Sequence, residues 1–325
     1  MPVTSVDTDT DQLTITITAD FAAPVTRLWD AYTDPRQIER FWGPPTYPAT
    51  FLRHDAAAGG RSVYKMTGPE GDEHFGRWDW TAVDGGRSFD VADSFADEQG
   101  NINTELPTTQ MHFDFEETAD GSRVTTISKF ETLEQLEQLL AMGVLEGTSQ
   151  AMTQIDTVLA DLAAFAADRA VDAEILSETQ VRTSRIIRGS LEQVWRAHND
   201  PDLMKQWLLG PDGWTMPVCE VAVNVGDSYR YFWEPVDGGE GFGFTGELVE
   251  SEEPRRSVTT EAMIGMDFPA TLNELTLTPV SGGTLVSLVI TYANAEQRDA
   301  VLATGMTKGM ETSYARLEHL LEDAA

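Results

Sequence analysis

Hydrophobic and polar positions alternate in short runs along most of the chain, a pattern that is typical of β-strands. The first run has Leu13, Ile15 and Ile17 separated by threonines and predicts a strand. Two short helices are predicted after it, over 24–33 and 35–42, because prolines stand at both starts and apolar residues line one face of each segment.

Six further strands are predicted in the first half of the chain, each bounded by glycine-containing turn signals. They lie near 48–55, 61–67, 74–83, 87–95, 108–117 and 122–130. The second half repeats the series with runs near 181–188, 215–223, 228–234, 242–250, 256–263, 270–278 and 284–292. Consecutive strands joined by such short turns pair antiparallel.

A long helix is predicted at the end of each half, because apolar residues recur there every three or four positions. In the first half the stripe consists of Val144, Ala151, Ile155, Leu159 and Leu162. In the second half it consists of Leu302, Met306, Met310, Tyr314, Leu317 and Leu321. A helix with one apolar stripe buries that face against another element.

The two halves are internal repeats. Residues 24–35, PVTRLWDAYTDP, align with residues 190–201, SLEQVWRAHNDP, at an offset of 166. Residues 142–159 align with residues 304–321 at an offset of 162. A period of roughly 165 residues is that of a whole domain. We therefore predict two domains, residues 1–170 and 171–325, joined near residues 167–178.

These elements predict an α+β fold for each domain. We expect a curved antiparallel sheet of about seven strands around a long C-terminal helix, with two short helices after strand 1. Such a sheet leaves a space beneath the helix unless large side chains fill it.

The order of elements and several segments resemble the START-like helix-grip superfamily, and most closely its branch named for the activator of the 90-kDa heat-shock chaperone ATPase. In the first repeat the resemblance is carried by VTRLWDAYTDPRQIERFWGP and GGRSVYKMTGPEGDEHFGRW. In the second it is carried by LEQVWRAHNDPDLMKQWLLGP and TKGMETSYARLEHLL. The resemblance implies a helix-grip fold for both tandem copies.

Three functions follow from the resemblance, because this fold hosts all of them. Our leading hypothesis is binding of a small hydrophobic or amphipathic ligand in a cavity between the sheet and the C-terminal helix. The second is a co-chaperone role, in which the protein binds the 90-kDa heat-shock chaperone and activates its ATPase. The usual member of this branch has one such domain, whereas this chain has two in tandem. The third is a cyclase or aromatase type of enzyme, which requires convergent polar groups inside the cavity.

The amino-acid composition disfavours some classes of binding partner. The net charge is −32, from 54 acidic and 22 basic residues, so the surface repels nucleic acids and anionic lipids. The simplest explanation of this excess of acidic residues is a salt-adapted host whose proteins are generally acidic. No apolar run is long enough for a membrane span, the N-terminus does not read as a signal peptide, and Cys219 is the only cysteine. We therefore expect a cytoplasmic protein.

Aromatic residues and methionines are the candidates for lining a ligand cavity, because they suit a pliable apolar pocket. In the first repeat they are Phe41, Trp42, Tyr64, Met66, Phe75, Trp78, Trp80 and Met111, together with Gly143 and Gly147. In the second repeat they are Trp207, Tyr231, Trp233, Phe242, Phe244, Met263, Met306 and Met310. The alternative is that these side chains fill the interior completely.

Gly143 and Gly147 have counterparts in Gly305 and Gly309. A glycine inside a helix costs about 1 kcal/mol relative to alanine, so a compensating role is expected. That role is either room for a ligand beneath the start of the helix or close packing on the sheet. A helix that begins after the glycines is a further alternative.

The sequence assigns no reaction, cofactor or metal. His54, His74 and His112 favour the first repeat for a polar-lined site, as does its longer 96–107 loop. However, sequential pairs such as His54 and Asp55 point to opposite faces of a strand, which is poor geometry for a metal site. No GxSxG, phosphate-loop or HExxH motif is present in the sequence.

Overall fold

The computed structural model describes residues 2–141, 143–165, 170–210 and 212–322. The chain divides into two compact units, Met1–Ala167 and Asp168–Ala325. Each unit is an eight-stranded antiparallel sheet with two short helices after its second strand and two helices at its end.

The first unit has eight strands and four helices in its described part. The strands are β1 Val3–Asp9, β2 Thr14–Phe21, β3 Ala49–His54, β4 Arg61–Thr67, β5 Glu73–Asp84, β6 Ser88–Ala96, β7 Thr109–Thr118 and β8 Gly121–Lys129. The helices are α1 Val25–Thr33, α2 Pro35–Ile38, α3 Leu133–Ala141 and α4 Val144–Phe165.

The second unit repeats this order. Its strands are β9 Asp172–Ile175, β10 Gln180–Ile187, β11 Trp214–Glu220, β12 Ser228–Pro235, β13 Phe242–Glu252, β14 Arg256–Met263, β15 Thr271–Val280 and β16 Gly283–Thr291. Its helices are α5 Leu191–Asn199, α6 Pro201–Trp207, α7 Ala295–Ala303 and α8 Met306–Glu322.

Both sheets have the same strand order. The first runs β1-β2-β8-β7-β6-β5-β4-β3 and the second runs β9-β10-β16-β15-β14-β13-β12-β11. The α+β helix-grip prediction is therefore confirmed, with eight strands rather than about seven. The additional strands, β1 and β9, are short edge strands that pair with β2 and β10. They escaped prediction because their residues are mostly polar and exposed.

The predicted long C-terminal helix is two helices in each unit. Gly143 and Gly305 have φ of +79° and +78°, a backbone conformation that ends a helix and favours glycine. These glycines separate α3 from α4 and α7 from α8, so Leu302 of the predicted stripe lies on α7. In the second unit, Arg185 of β10 fixes α8 to the sheet by donating to Glu311 at 3.0 Å and Glu318 at 3.1 Å.

The first unit has one continuous apolar core. Twelve aromatic side chains are buried in it, namely Phe21, Trp29, Tyr32, Phe41, Phe51, Tyr64, Trp78, Trp80, Phe89, Phe113, Phe115 and Phe130. Neighbouring rings contact one another throughout, as in the stacked pair Phe89–Phe113 with centroids 4.5 Å apart. Rings of this size fill the space between the sheet and α4.

The core of the second unit is divided. Its buried apolar residues form three separate clusters in the described part of the unit. One cluster joins α5, α6 and α8 around Trp207 and Tyr314, a second surrounds Trp233, and a third surrounds Tyr292. Half-buried and polar side chains of the central strands lie between them, and they form the candidate site described next.

Candidate functional site

Strand register identifies equivalent positions on the inner faces of the two sheets. Asp93 of β6 pairs with Thr109, the first residue of β7, and Glu261 of β14 pairs with Thr271, the first residue of β15. The preceding inner-face pairs are Val91–Met111 and Phe89–Phe113 in the first unit. Their counterparts in the second unit are Thr259–Asn273 and Ser257–Leu275.

Large apolar side chains cover the inner face of the sheet in the first unit, which we therefore call the sealed unit. Phe89 and Val91 are 0% exposed and Phe113 is 1% exposed. At the equivalent positions of the second unit, Ser257, Thr259 and Leu275 are half-buried, so solvent reaches them. Because the serine and the leucine are much smaller than the two phenylalanines, they fill less of the space on the inner face of the second sheet. We call this half-buried, more polar region around Ser257, Thr259 and Leu275 the hollow.

A cluster of polar side chains lies at one end of this hollow, which we call the Glu261 cluster. Its members are Glu261, Asn273, Tyr229, Tyr231 and Tyr292. The Tyr229 hydroxyl lies 3.3 Å from Glu261 Oε2, and an Asn273 hydrogen bond also reaches the carboxyl group. Tyr231 and Tyr292 are close enough for the carboxylate charge to raise their phenol pKa values.

Burial controls the ionisation of the Glu261 cluster. It raises the pKa of Glu261, although the hydrogen bonds from Asn273 and Tyr229 oppose that shift. Burial, with the charge of Glu261 added, raises the pKa of Tyr292 to about 12 and that of Tyr229 further. The phenols therefore remain neutral hydrogen-bond donors at physiological pH, and the Glu261 carboxyl group lies within hydrogen-bond distance of the Tyr229 hydroxyl.

A glycine makes room for Tyr229. Gly246 of β13 pairs with Tyr229 of β12, and a Cβ on this glycine would lie 1.8 Å from the Thr260 carbonyl oxygen and 2.8 Å from the Tyr229 ring. The tyrosine ring lies over the glycine and its hydroxyl donates to Thr260 O at 2.9 Å. The close approach of ring and backbone thus directs Tyr229 towards Glu261.

The first unit has a smaller version of this arrangement. The Tyr64 hydroxyl donates to Asp93 at 3.1 Å, and Gly76 leaves room for the Tyr64 ring. Burial raises the pKa of Asp93 to about 6. The aromatic core continues directly beside this pair, since Trp42 and Trp78 both contact the Tyr64 ring.

The cavity-lining residues predicted in the first repeat fall into three groups. Phe41, Tyr64, Trp78 and Trp80 are buried core residues. Trp42, Met66 and Met111 are half-buried and pack against that core. Phe75 is separated from Trp78 by an odd number of strand positions, so it lies on the opposite face of the sheet.

The residues predicted in the second repeat lie around the hollow more often. Trp207 and Trp233 are buried, whereas Tyr231, Phe242, Phe244, Met306 and Met310 are half-buried. Met306 and Met310 come from the start of α8, where the Met306 sulfur lies 3.9 Å from the Tyr292 hydroxyl. Met263 is 36% exposed at the end of β14.

The helix glycines do not serve close packing. Gly147 and Gly309 are the fourth residues of α4 and α8, so these helices do not begin after them. A Cβ added at Gly143, Gly147, Gly305 or Gly309 would meet no atom within 4 Å. The first pair, Gly143 and Gly305, is explained by positive φ, and the second pair borders open space.

The three histidines of the first repeat do not converge on one site. His54 Nδ1 lies 2.9 Å from Ser62 Oγ, His74 Nε2 lies 3.2 Å from Asp72, and His112 Nδ1 lies 2.7 Å from Asp90. The three histidines therefore do not form one site, and the preference for the first repeat as the polar-lined one stays a prediction. No group of three His, Cys, Asp or Glu side chains in the described residues has the arrangement of a metal site.

Sequence reasoning missed Glu261, Asn273, Tyr292, Ser257 and Thr259. A single glutamate or threonine in a strand carries no local signal that distinguishes an inner from an outer position. Aligning the repeats at the offset of 162 that relates Thr109 to Thr271 places Leu275 opposite Phe113. Asp93 and Glu261 differ by 168, as do Phe89 and Ser257, so these pairs become visible only from the strand register.

Two other surface features are present. A groove of about 350 Å³ in the first unit runs along α4 and is bordered by Arg40, Pro45, Gln154 and Val158. In the second unit, the β14–β15 connection exposes the apolar side chains Met263, Ile264, Met266, Phe268 and Leu272. None of the helices in the described ranges combines the length and apolar character that a bilayer crossing requires.

Comparisons with known proteins find solved structures that are similar to about half of the chain. Solved structures that are similar to one half of the chain include a protein of Mycobacterium smegmatis, with 52% identity over 49% of this chain and 97% of that one and a TM-score of 0.46. A protein of Arthrobacter aurescens has 43% identity over 49% of this chain and 92% of that one, with a TM-score of 0.47. No curated protein matches the chain.

A family model described as activator of Hsp90 ATPase homolog 1-like protein matches residues 22–160 and residues 188–322. The two matches cover most of both repeats and together more than half of the chain. The protein therefore belongs to the activator of Hsp90 ATPase homolog 1-like family and carries two consecutive copies of its domain.

Proposed function

We propose that the second unit binds a small amphipathic ligand in the hollow between its sheet and α8. The observation that carries this proposal is the replacement of Phe89, Val91 and Phe113 of the sealed first unit by the half-buried Ser257, Thr259 and Leu275. Leu275, Phe244 and Met310 would contact the apolar part of the ligand. The Glu261 cluster would bind its polar part, as in pockets that combine an apolar lining with a few convergent polar groups.

In this proposal the first unit is the structural counterpart of the second. Its aromatic core leaves no hollow at the equivalent positions, which are Phe89, Val91 and Phe113. We also propose that the domain with this function begins after residue 170. Its proposed ligand contacts are the predicted residues of the second repeat, from Trp207 to Met310.

The test uses the neutral fluorophore N-phenyl-1-naphthylamine and the full chain. We expect its fluorescence to rise saturably with one site per chain. Ser257→Phe, which restores the residue of the first unit, should weaken binding at least about tenfold, because the ring fills the hollow. Ser228→Phe makes the same chemical change on an exposed residue and should bind like the wild type. Equal binding by both variants would rule out the hollow as the site.

A second candidate function rests on the exposed β14–β15 connection. Its five exposed apolar side chains lie in a segment, 263–272, whose one charged residue is Asp267. Apolar surface of this kind typically marks a protein contact. The family to which the chain belongs is named for activation of the Hsp90 ATPase, so we propose this chaperone as the partner.

Activation is tested by the rate of ATP hydrolysis of the 90-kDa chaperone with and without the full chain. We expect an increase of at least about twofold, and its loss in Phe268→Ser, because hot spots depend on large buried side chains. Val236→Ser removes another exposed apolar side chain of the same unit and serves as the control. An unchanged hydrolysis rate would exclude this candidate.

The Glu261 cluster also meets the condition for a cyclase type of enzyme, namely convergent polar groups inside a cavity. One measurement distinguishes binding from turnover, namely mass spectrometry of the probe ligand after incubation with the protein. A binding protein returns the ligand unchanged, whereas an enzyme returns a product. Because we propose binding as the function of the second unit, we expect the ligand to be returned unchanged.

A further inference from the structure

Glu261 differs from the other buried or half-buried charges of the second unit in its partners. Its carboxyl group has hydrogen bonds from Tyr229 and Asn273, and no Arg, Lys or His among the described residues pairs with it. The buried guanidinium groups of this unit have acidic partners elsewhere. Arg185 binds Glu311 and Glu318, and Arg256 binds Glu250, Glu252 and Glu274.

We propose that the hollow of the second unit selects ligands with a protonated amine next to an apolar body, and that Glu261 is the counter-ion of the amine. This inference rests on the proposed function, since it names the chemical class of the ligand. A carboxylate removed from water is unfavourable unless a cation or several donors compensate it. A bound ammonium group supplies that cation at the position that the protein leaves without one.

The surroundings of Glu261 suit a cation in two further ways. Aromatic rings line the approach: the centroids of Tyr229 and Tyr231 lie 4.8 Å apart, and Trp233 follows at 6.2 Å from Tyr231. Ring faces attract ammonium groups, most strongly where water is excluded. The Tyr229 hydroxyl beside the carboxylate also has acceptor lone pairs for an ammonium N–H group.

The charge of the whole protein acts in the same direction. A net charge of −32 concentrates cations near the surface and repels anions. This field alone does not select a site, because it is screened beyond about 8 Å at physiological ionic strength. A preference for amines that persists in 150 mM salt therefore has to come from a local group such as Glu261.

The experiment compares octylamine, octanol and octanoate, which share one apolar chain and differ in head-group charge. Each displaces N-phenyl-1-naphthylamine from the full chain at pH 7 and 150 mM NaCl, below its micelle threshold. We expect octylamine to bind at least about tenfold more tightly than octanol, and octanoate to bind most weakly. Glu261→Gln should reduce the preference for amine over alcohol to within about twofold while octanol binding persists.

Asp93→Asn is the matched control, because it neutralises the equivalent acid of the sealed first unit and should leave the preference unchanged. If Glu261→Gln keeps the full amine preference, or if octanoate binds best, the assignment of Glu261 as counter-ion is overturned. Failure of the proposed function has a different result. In that case none of the three compounds displaces the fluorophore, or Ser257→Phe leaves all three affinities unchanged.

Discussion

His198 and Tyr32 occupy the same position in the two repeats, on α5 and α1, but only the histidine can take up a proton and become positively charged at acidic pH. The His198 ring lies 4.8 Å from Trp207, and its Nδ1–H donates to the Val194 carbonyl at 2.8 Å. Its Nε2 has no hydrogen-bond partner among the described residues. Burial lowers the pKa of His198 to about 4, although the bond to Val194 opposes the shift.

This shift predicts acid sensitivity of the second unit. The folded-state pKa of His198 lies below its unfolded value of about 6.5, so the unfolded chain binds more protons between pH 6.5 and pH 4. Stability is therefore lost as the pH falls through this window, by about 1–2 kcal/mol for this half-buried group. His198→Phe should remove the loss, measured as the free energy of unfolding by hydrogen exchange of α5 and α6 at pH 7 and pH 4.5.

The control for this prediction is His319→Phe, because the His319 side chain is 81% exposed and changes nothing in the core. It should keep the acid sensitivity of the wild type. If His198→Phe loses as much stability between pH 7 and pH 4.5 as the wild type does, His198 does not carry the effect.

The burial of individual residues was predictable where the local sequence pattern alone determines it. Trp78 and Trp80 alternate with polar residues in a predicted strand, and both are buried. Glu261 was not predictable in this way, because its inner position depends on the register of β14 against β15. Met263 shows the opposite case: the alternation is correct, but the strand ends there and the side chain is exposed.

At the scale of elements, the starts of α2 and α6 are built from the same sequence, Asp-Pro, in different surroundings. Asp34 is fully buried, and its carboxylate accepts hydrogen bonds from Arg36 N at 3.0 Å, Arg36 Nη2 at 2.7 Å and Gln37 Nε2 at 3.0 Å. Asp200 is half-buried and accepts from Asp202 N at 3.0 Å. Its ion-pair partner Arg196 is exposed.

We expect Asp34→Ala to be far more destabilising than Asp200→Ala. Removing Asp34 leaves the buried Arg36 guanidinium without its carboxylate, which typically costs 3–5 kcal/mol, or about 4 kcal/mol here. Removing Asp200 takes away a helix cap, which costs about 1 kcal/mol. Hydrogen exchange of α1–α2 and α5–α6 in the full chain gives both values, and equal losses would contradict the burial argument.

Elements were predictable where turn signals bound them. Fourteen of the strand ranges follow from alternating runs between turn signals, and the structure places strands at all of them. The edge strands β1 and β9 were not predictable, because a sequence such as VTSVDTD has too few apolar residues to indicate a buried face. The break of each final helix was hidden because the apolar stripe continues across Gly143 and Gly305.

At the scale of the whole molecule, the two repeats show how one fold accommodates two interiors. The first keeps twelve buried aromatic rings in one cluster, whereas the second has Ser257 and Leu275 at the positions of two of those rings, Phe89 and Phe113. The strand order is unchanged, because backbone pairing and turns do not depend on these side chains. Duplication thus allows one copy to keep a filled apolar core while the inner face of the other changes to smaller and more polar side chains, a change that typically weakens packing.

The charge of the whole chain leads to the last prediction. With 54 acidic and 22 basic residues, like charges repel one another more strongly in the compact folded state than in the expanded chain. Salt screens this repulsion, since the Debye length falls from about 30 Å at 0.01 M to about 10 Å at 0.1 M. We therefore expect the midpoint of thermal unfolding to rise by several degrees between 0.01 M and 0.3 M KCl.

Screening is distinguished from specific ion binding by repeating the measurement with NaCl, because both salts screen equally at the same ionic strength. The ion pairs on the surface are weakened by the same salt, but each contributes about 1 kcal/mol or less, so the reduced repulsion should dominate. A midpoint that stays constant or falls over this range would show that the acidic excess does not destabilise the fold. A rise with only one of the two cations would instead indicate a bound ion.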